Sequence, residues 1–443
     1  MRKTNMRNEI ENFKEGKMLE RTKELDTFWR NNTENLTGYK KSVLIDNVQF
    51  IYELALAQLE LQSLGVKSEI TNGFREFRLL ETQDEEKLRK RLAYFKSING
   101  EYTDYFYIIQ KNRTRSVNQY LTHWIYPYKG KFHPQMIRAL LNIIGLERGD
   151  TVLDPFIGSG TTAVEAQLLG INCVGIDISP LCVLQSKVKV EAIDVLEEIM
   201  QWKEEIISGV TNGIATRRES TLFSSEKESL DETIESIPNE KVKDFYRMAK
   251  LIAVSDETRR GRDFSKAFLK NLELMISSVK DYVDVKKELN LSLGKTDIRA
   301  GDARELPLDS ESIDGIITSP PYSIALDYIA NDAHALRALG YNLTEIKEKF
   351  IGVRGQRQKR IDLYNEDMKK SLKEMFRVLK PNKYAVIVIG NATYLGDEIK
   401  TVEFIIGCAE TIGFKLVKNI DKIIFGLYNI MQKENILIFQ KEG

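Results

Sequence analysis

The sequence predicts an α/β fold, with a sheet assembled from strand–helix–strand units, split by a long helical insertion and preceded by a helical unit. Three observations lead there. Residues 151–177 read as strand, glycine-rich turn, helix and strand in direct succession. Further strand patterns follow, but only after residue 295. Between the two groups, 183–291 is charged, helix-prone and holds a single proline, Pro238. At 443 residues the chain exceeds what one core usually encloses, so two or three compact units are expected.

Residues 1–119 form the first expected unit. The spacing of Val48, Ile51, Tyr52, Leu54, Ala55 and Leu59 fits a period of about 3.6, and no proline precedes Pro127, so this unit is predicted to be helical. Residues 120–182 follow. They open with an aromatic, turn-rich stretch (Tyr120, Trp124, Tyr126, Pro127, Tyr128, Gly130, Phe132, His133, Pro134) that reads as an extended segment entering a helix over 135–144. Trp124 reads as core packing. A strand over 151–155, a helix over 161–169 and a strand over 172–177 complete this part. After the insertion at 183–291, residues 292–443 supply strands at 296–300, 313–318, 384–390, 414–420 and 435–439.

Composition narrows the function classes. With 42% hydrophobic and 29% charged residues the chain is expected to be soluble and folded. Lys plus Arg (65) equals Asp plus Glu (65), so a site for a polyanion must be local. Cys173, Cys182 and Cys408 are too few for a disulfide framework or zinc cage, and His123, His133 and His334 share no ligand spacing, so no metal is expected. No apolar run approaches a bilayer span, and the N-terminal residues lack a signal-peptide core. A cytoplasmic protein without membrane contact is expected.

The first motif is Val152-Leu-Asp-Pro-Phe-Ile-Gly158-Ser-Gly160-Thr-Thr-Ala163, a strand that ends in a glycine turn and runs into a helix. Glycine lets the backbone approach a ligand, and a helix N-terminus offers N–H groups. Asp177, at the tip of the next strand, is placed to accept both ribose hydroxyls of an adenosine cofactor. A dehydrogenase would share this layout. Asp154, just before the turn, would repel a pyrophosphate yet suits the cationic end of S-adenosylmethionine, so charge favours the methyl donor over a nicotinamide.

The second motif is Ile313-Asp-Gly-Ile-Ile-Thr-Ser319-Pro320-Pro321-Tyr322. Two prolines hold the chain extended with its carbonyls free to accept. An exocyclic amino group is a poor nucleophile because its lone pair is delocalised into the ring. If the Ser319 hydroxyl and the Pro320 carbonyl each accept one N–H, the lone pair can be aimed at a methyl sulfonium while Tyr322 stacks on the base. This is catalysis by positioning rather than by a strong base.

Together, Asp-Pro-Phe-Ile-Gly-Ser-Gly-Thr-Thr and Thr-Ser-Pro-Pro-Tyr resemble the S-adenosylmethionine-dependent DNA amino-methyltransferases of bacterial modification systems, which methylate cytosine N4 or adenine N6. The resemblance covers 120–182 and 292–443. It implies a doubly wound, seven-stranded class I methyltransferase sheet whose final strand pair is an antiparallel hairpin at one edge. It assigns Asp154, Phe156, Gly158, Gly160 and Thr161 to the first cofactor loop, and Asp177 with Ile178 to ribose and adenine. Asp302 with Ala303 is assigned to the adenine amino group, and Phe132, His133 and Pro134 to a segment closing over the methionine end. Ser319, Pro320, Pro321 and Tyr322 match the catalytic tetrapeptide; serine in first place favours cytosine N4 over adenine N6. The order, cofactor motif before catalytic motif, reverses that of many relatives. With the last strand at the chain's end, target reading is expected from the N-terminal unit, the insertion or the loop after the catalytic segment, the insertion being favoured.

Arg354, Arg357, Lys359 and Arg360 lie in a basic loop downstream of the catalytic motif and are the candidate DNA-phosphate contacts. Lys111, Arg113, Arg115, Arg259, Arg260 and Arg262 are weaker candidates. The expected activity is methyl transfer to a cytosine flipped out of duplex DNA. The alternatives are adenine N6 in DNA and guanine N2 in RNA or tRNA. A separate restriction endonuclease is an expected partner on resemblance alone.

Overall fold

The computed structural model describes residues 40–443 apart from 82–83, 112–117, 220–225, 323–327, 357, 395–396 and 426–430. The described chain opens with β1 (Lys40–Leu44), α1 (Ile51–Ser63), β2 (Lys67–Thr71), β3 (Glu76–Glu81), α2 (Glu85–Arg91), β4 (Phe95–Ile98), β5 (Glu101–Tyr102) and α3 (Asp104–Gln110). Its strands form an antiparallel sheet in the order β2-β3-β1-β4-β5. This corrects the expectation of a helical N-terminal unit. The helical period is real and belongs to α1, but strands surround it. Asn72-Gly73 and Asn99-Gly100, all four with positive φ, turn the chain between β2 and β3 and between β4 and β5. Asn-Gly is the preferred dipeptide of such hairpins, so the absence of proline did not mean the absence of strands.

The second sheet follows the sequence reading closely. After α4 (Pro134–Ile143) come β6 (Thr151–Asp154), α5 (Thr161–Leu168), β7 (Asn172–Asp177) and α6 (Pro180–Glu191). The insertion is helical as expected: α7 (Leu196–Glu219), α8 (Glu226–Glu235), α9 (Glu240–Arg260) and α10 (Phe264–Glu288). The sheet resumes with β8 (Thr296–Ala300) and β9 (Ile313–Thr318), followed by α11 (Tyr328–Ala338), α12 (Leu343–Lys349), α13 (Gln358–Val378) and β10 (Leu379–Ile389). A small ribbon, β11 (Ala392–Tyr394) and β12 (Asp397–Ile399), leads to α14 (Thr401–Ile412), β13 (Phe414–Phe425) and β14 (Met431–Lys441).

The strand order is β13-β14-β10-β9-β6-β7-β8. All neighbours are parallel except at β14, which runs antiparallel to both β10 and β13. The expected edge hairpin is thus present, with its second strand inserted between the first and the rest. From β6 the chain winds outward to β8, then returns to place β9 on the other side of β6. That reversal leaves a crevice at the carboxyl ends of β6 and β9, where open α/β sheets bind ligands.

The two sheets share a core. α1 packs on α4 and β13. Buried Glu60 of α1 accepts Ala93 N at 2.8 Å and Asn142 Nδ2 at 2.7 Å, while Arg91 Nε donates to Asn142 Oδ1 at 2.8 Å. Burial raises the Glu60 carboxyl to about 7, against the pull of these hydrogen bonds. Trp124 Nε1 donates to Ser278 Oγ of α10 at 2.7 Å, in keeping with its reading as core packing.

Candidate active site

The glycine turn after β6 is held from the helix that follows β7. Gln185 Nε2 and Ser186 Oγ donate to the Gly158 carbonyl at 2.9 and 3.1 Å, and Lys189 Nζ donates to the Ser159 carbonyl at 2.7 Å. Burial pushes Lys189 well below the usual lysine range. Gly160 has a φ of 75°, and a Cβ there would lie 2.8 Å from Ser186 Oγ and 3.0 Å from Ser186 Cα, so both conformation and space demand glycine.

A cavity of about 740 Å³ opens beside this turn. On its wall lie Phe132, Phe156, Gly158, Thr161, Asp177, Ile178, Asp302 and Ala303 from the expected cofactor set, with Ser319, Pro321 and Tyr322 from the catalytic set. The two motifs meet because β6 and β9 are paired neighbours, with Val152 opposite Gly315 and Leu153 opposite Ile316. His133, Pro134, Asp154, Gly160 and Pro320 are not wall residues. Pro134 starts α4 with His133 as its N-cap, a favoured place for proline. Burial first, then Lys422 and Lys131, depress the His133 imidazole to about 3, which leaves it neutral at pH 7.

Asp154 is placed otherwise than the charge argument implied. It is 1% exposed. Its Oδ1 accepts Thr318 Oγ1 at 2.6 Å and Phe156 N at 3.2 Å, and its Oδ2 accepts Thr162 Oγ1 at 2.7 Å. Burial raises the carboxyl to about 6 although these donors pull it down. Asp154 therefore ties the end of β6 to the end of β9 and to α5 from behind the cavity wall.

Asp177 does reach the cavity. One oxygen accepts Gly158 N and the other Ser179 N, both at 2.9 Å, which fixes the carboxylate at the cavity wall. Burial brings it to about 6, opposed by the backbone donors. Asp302 is gripped by Arg304 through Nε at 2.9 Å and Nη2 at 2.6 Å. Burial favours its neutral form, but Arg304 outweighs that and holds it below the ordinary range.

On the opposite wall the Tyr322 hydroxyl donates to Glu434 Oε1, and Glu434 Oε2 pairs with Lys422 Nζ at 2.5 Å. Burial alone would raise the Glu434 carboxyl; Lys422 holds it below the usual value.

The basic loop is not the phosphate surface expected. Arg354 is committed to buried Asp367, which also pairs with Arg304 at 2.9 Å. Arg360 Nε donates to the Gly352 carbonyl at 2.7 Å. Lys359 is exposed, and Arg357 lies outside the described residues. Among the weaker candidates, Arg259 binds the Asn331 carbonyl, Arg260 and Arg262 bind Asp256, and Lys111 faces Glu288; Arg113 and Arg115 lie outside the described residues.

Sequence reasoning missed Lys131, Gln185, Ser186, Lys189, Thr318, Lys422 and Glu434. The helical spacing of Gln185 and Lys189, one turn apart just after Asp177, was a readable signal. Nothing in an alternating edge hairpin singled out Lys422 and Glu434. Among the described residues no cluster of His, Cys, Asp or Glu is arranged to hold a metal, and no helix is long and apolar enough to cross a membrane.

A seven-stranded, doubly wound sheet with one reversed strand near its edge, and a site at its switch point, defines a class I methyltransferase fold. Residues 3–187 match the family model described as DNA methylase. The match takes in the glycine turn and Asp177. Type II methyltransferase M.MjaII of Methanocaldococcus jannaschii is 45% identical over 86 residues, 19% of this chain and 15% of its own. Type II methyltransferase M.BsoBI of Geobacillus stearothermophilus is 50% identical over 64 residues, 14% of this chain and 12% of its own. A tRNA (guanine(10)-N2)-dimethyltransferase of Methanothermobacter thermautotrophicus is 35% identical over 71 residues, 16% of this chain and 20% of its own. The matched stretches thus span a fifth or less of these relatives. The cofactor of the family is S-adenosylmethionine, and the residues present fit it: a fixed carboxylate at Asp177 for ribose hydroxyls, Asp302 for an amino group, and Phe132, Phe156 and Ile178 as apolar walls.

Proposed function

We propose that this protein transfers a methyl group from S-adenosylmethionine to the N4 of a cytosine flipped out of duplex DNA. The observation that carries the reading is that Ser319 and Tyr322 share one cavity with the glycine turn and Asp177. Its volume, about 740 Å³, lies in the range of small-molecule sites and suits a cofactor with one base beside it.

The cofactor supplies an electrophilic methyl group on a cationic sulfur. The chain's own residues bind and aim. Asp177 holds the ribose and Asp302 the adenine amino group. The Ser319 hydroxyl, on the cavity wall, accepts an N–H of the target amino group and turns its lone pair toward the methyl, while Tyr322 stacks on the ring; Pro320, behind that wall, holds the segment extended. Asp154, through Thr318, keeps the cofactor turn and the catalytic segment in register. Target reading is assigned to the helical insertion, because α9 packs on α11, the next described helix after Tyr322. Among the described residues of the basic segment, Lys359, in the first turn of α13, is an exposed cation available to phosphate.

The test is to incubate the protein with labelled S-adenosylmethionine and either duplex DNA or bulk tRNA, then digest and identify the modified nucleoside. N4-methylcytosine supports the reading, and N6-methyladenine keeps the mechanism while changing the base. A second reading, guanine N2 in tRNA, draws on the tRNA-named relative; label in tRNA as N2-methylguanine would replace the first.

A further inference from the structure

Of the five charged wall side chains among the described residues with no part in the transfer, Lys131, Glu398, Lys422, Lys433 and Glu434, two pair with each other. Lys422 of β13 and Glu434 of β14 are directly opposed across the edge hairpin. Lys422 sits on the edge strand and Glu434 on its inner neighbour. Here they point inward, and Lys422 is only 8% exposed. The desolvation of a buried ion pair offsets most of what its attraction returns, so an inward pair gains the fold little.

The surroundings suggest another use. Glu434 is bound on both oxygens, by the Tyr322 hydroxyl and by Lys422. Glu53 of α1, the other carboxylate near Lys422, spends Oε2 on the backbone N–H groups of Gln49 and Phe50. Lys422 is different: an ammonium carries three donors, and its pair with Glu434 takes one. It therefore presents donor capacity to the cavity, at the hydroxyl end of the ring assigned to stack on the base.

We propose that Lys422 donates a hydrogen bond to the ring-acceptor edge of the flipped base, N3 and O2 of a cytosine, and that Glu434 is the positioning residue that orients both Lys422 and Tyr322. The inference rests on the base-methylation reading above and deepens it. Beside its amino group cytosine offers two acceptors in succession, N3 and O2. Adenine offers N1 and then a C–H, so one ammonium is better satisfied by cytosine. A site built to hydrogen-bond a substrate group discriminates strongly against its absence.

The test uses the full chain, unmethylated bacteriophage DNA and tritiated S-adenosylmethionine, with S-adenosylhomocysteine binding measured by calorimetry on every variant. Lys422→Met is expected to lose about 100-fold in kcat/KM for DNA with S-adenosylhomocysteine binding unchanged, and to raise the share of N6-methyladenine in whatever label remains. Lys422→Arg, which keeps a donor and the pair, retains most of the activity. Glu434→Gln falls between the two, because Tyr322 keeps an acceptor. If wild-type protein labels no DNA, the methylation reading falls and takes the inference with it. If wild type labels DNA but Lys422→Met does so at unchanged kcat/KM, or Met and Arg are equally impaired with S-adenosylhomocysteine still bound, the inference alone falls. Loss of S-adenosylhomocysteine binding in Lys422→Met would mark a structural role and overturn it too.

Discussion

Replacing Asp154 by asparagine should remove a pH dependence of stability that this carboxyl imposes. In the fold it retains its proton up to about pH 6, whereas an unperturbed aspartate releases it near 3.8. Between these values the folded state binds more protons than the unfolded one, so stability falls as pH rises through that window. The difference between the two values corresponds to about 3 kcal/mol. Asp177, also raised to about 6, acts in the same direction and remains in the variant. Asparagine preserves an acceptor for Thr318 or Thr162 and carries no charge to desolvate. Melting temperatures of wild type and Asp154→Asn, measured from pH 4 to pH 7, should therefore diverge in the variant's favour by several degrees. Parallel curves would refute the argument, because they would mean that the Asp154 carboxylate is not buried behind the wall. S-adenosylhomocysteine binding in the same variant separates the two placements of Asp154: a residue behind the wall costs little affinity when neutralised, whereas one touching the cationic ligand costs much.

Gly160→Ala forces a left-handed backbone on a side chain, at about 1–2 kcal/mol, and drives its Cβ against Ser186. It should weaken S-adenosylhomocysteine binding and lower the melting temperature, and Ser186→Gly in the same chain should restore part of both. Asp177→Ala should weaken cofactor binding while leaving DNA binding in a gel-shift assay largely intact; equal loss of both would undermine the ribose assignment. Arg354→Ala should destabilise by about 1–3 kcal/mol in denaturant melts, since Asp367 keeps Arg304, with no change in the salt dependence of DNA binding. Lys359→Glu should do the reverse, reducing the salt slope by about one with stability unchanged.

Much of the sheet was legible because its inner strands β6, β7 and β9 are short, largely apolar runs bounded by turn residues, and the ends of β7, β8 and β9 match the sequence reading residue for residue. The N-terminal sheet was not, because a helical period in α1 and missing prolines outweighed two Asn-Gly turns. The site divides in the same way. Glycines and prolines declare their backbone role, and Asp177 and Tyr322 proved to line the cavity. Side-chain direction is another matter. Asp154 meets Thr318 across 164 residues of sequence, and that contact, not the motif, decides which way its charge points. Arg354 likewise reads as a free cation until Asp367 is seen beside it.

The pairing of β6 with β9 also bears on how the molecule comes into being. A ribosome delivers the glycine turn and the whole helical insertion before it delivers the strand that completes the crevice. The early half can close its local units, but the bond from Thr318 to Asp154 waits for a closure across the entire inserted segment, and such distant closures are slow. Until then the turn is a cradle without its opposite wall. The cavity is thus complete only once the last strands have docked as well, since Lys422 and Glu434 stand on its wall, and a chain that ends before β9 holds the glycine turn and Asp177 without Ser319, Tyr322 or that wall.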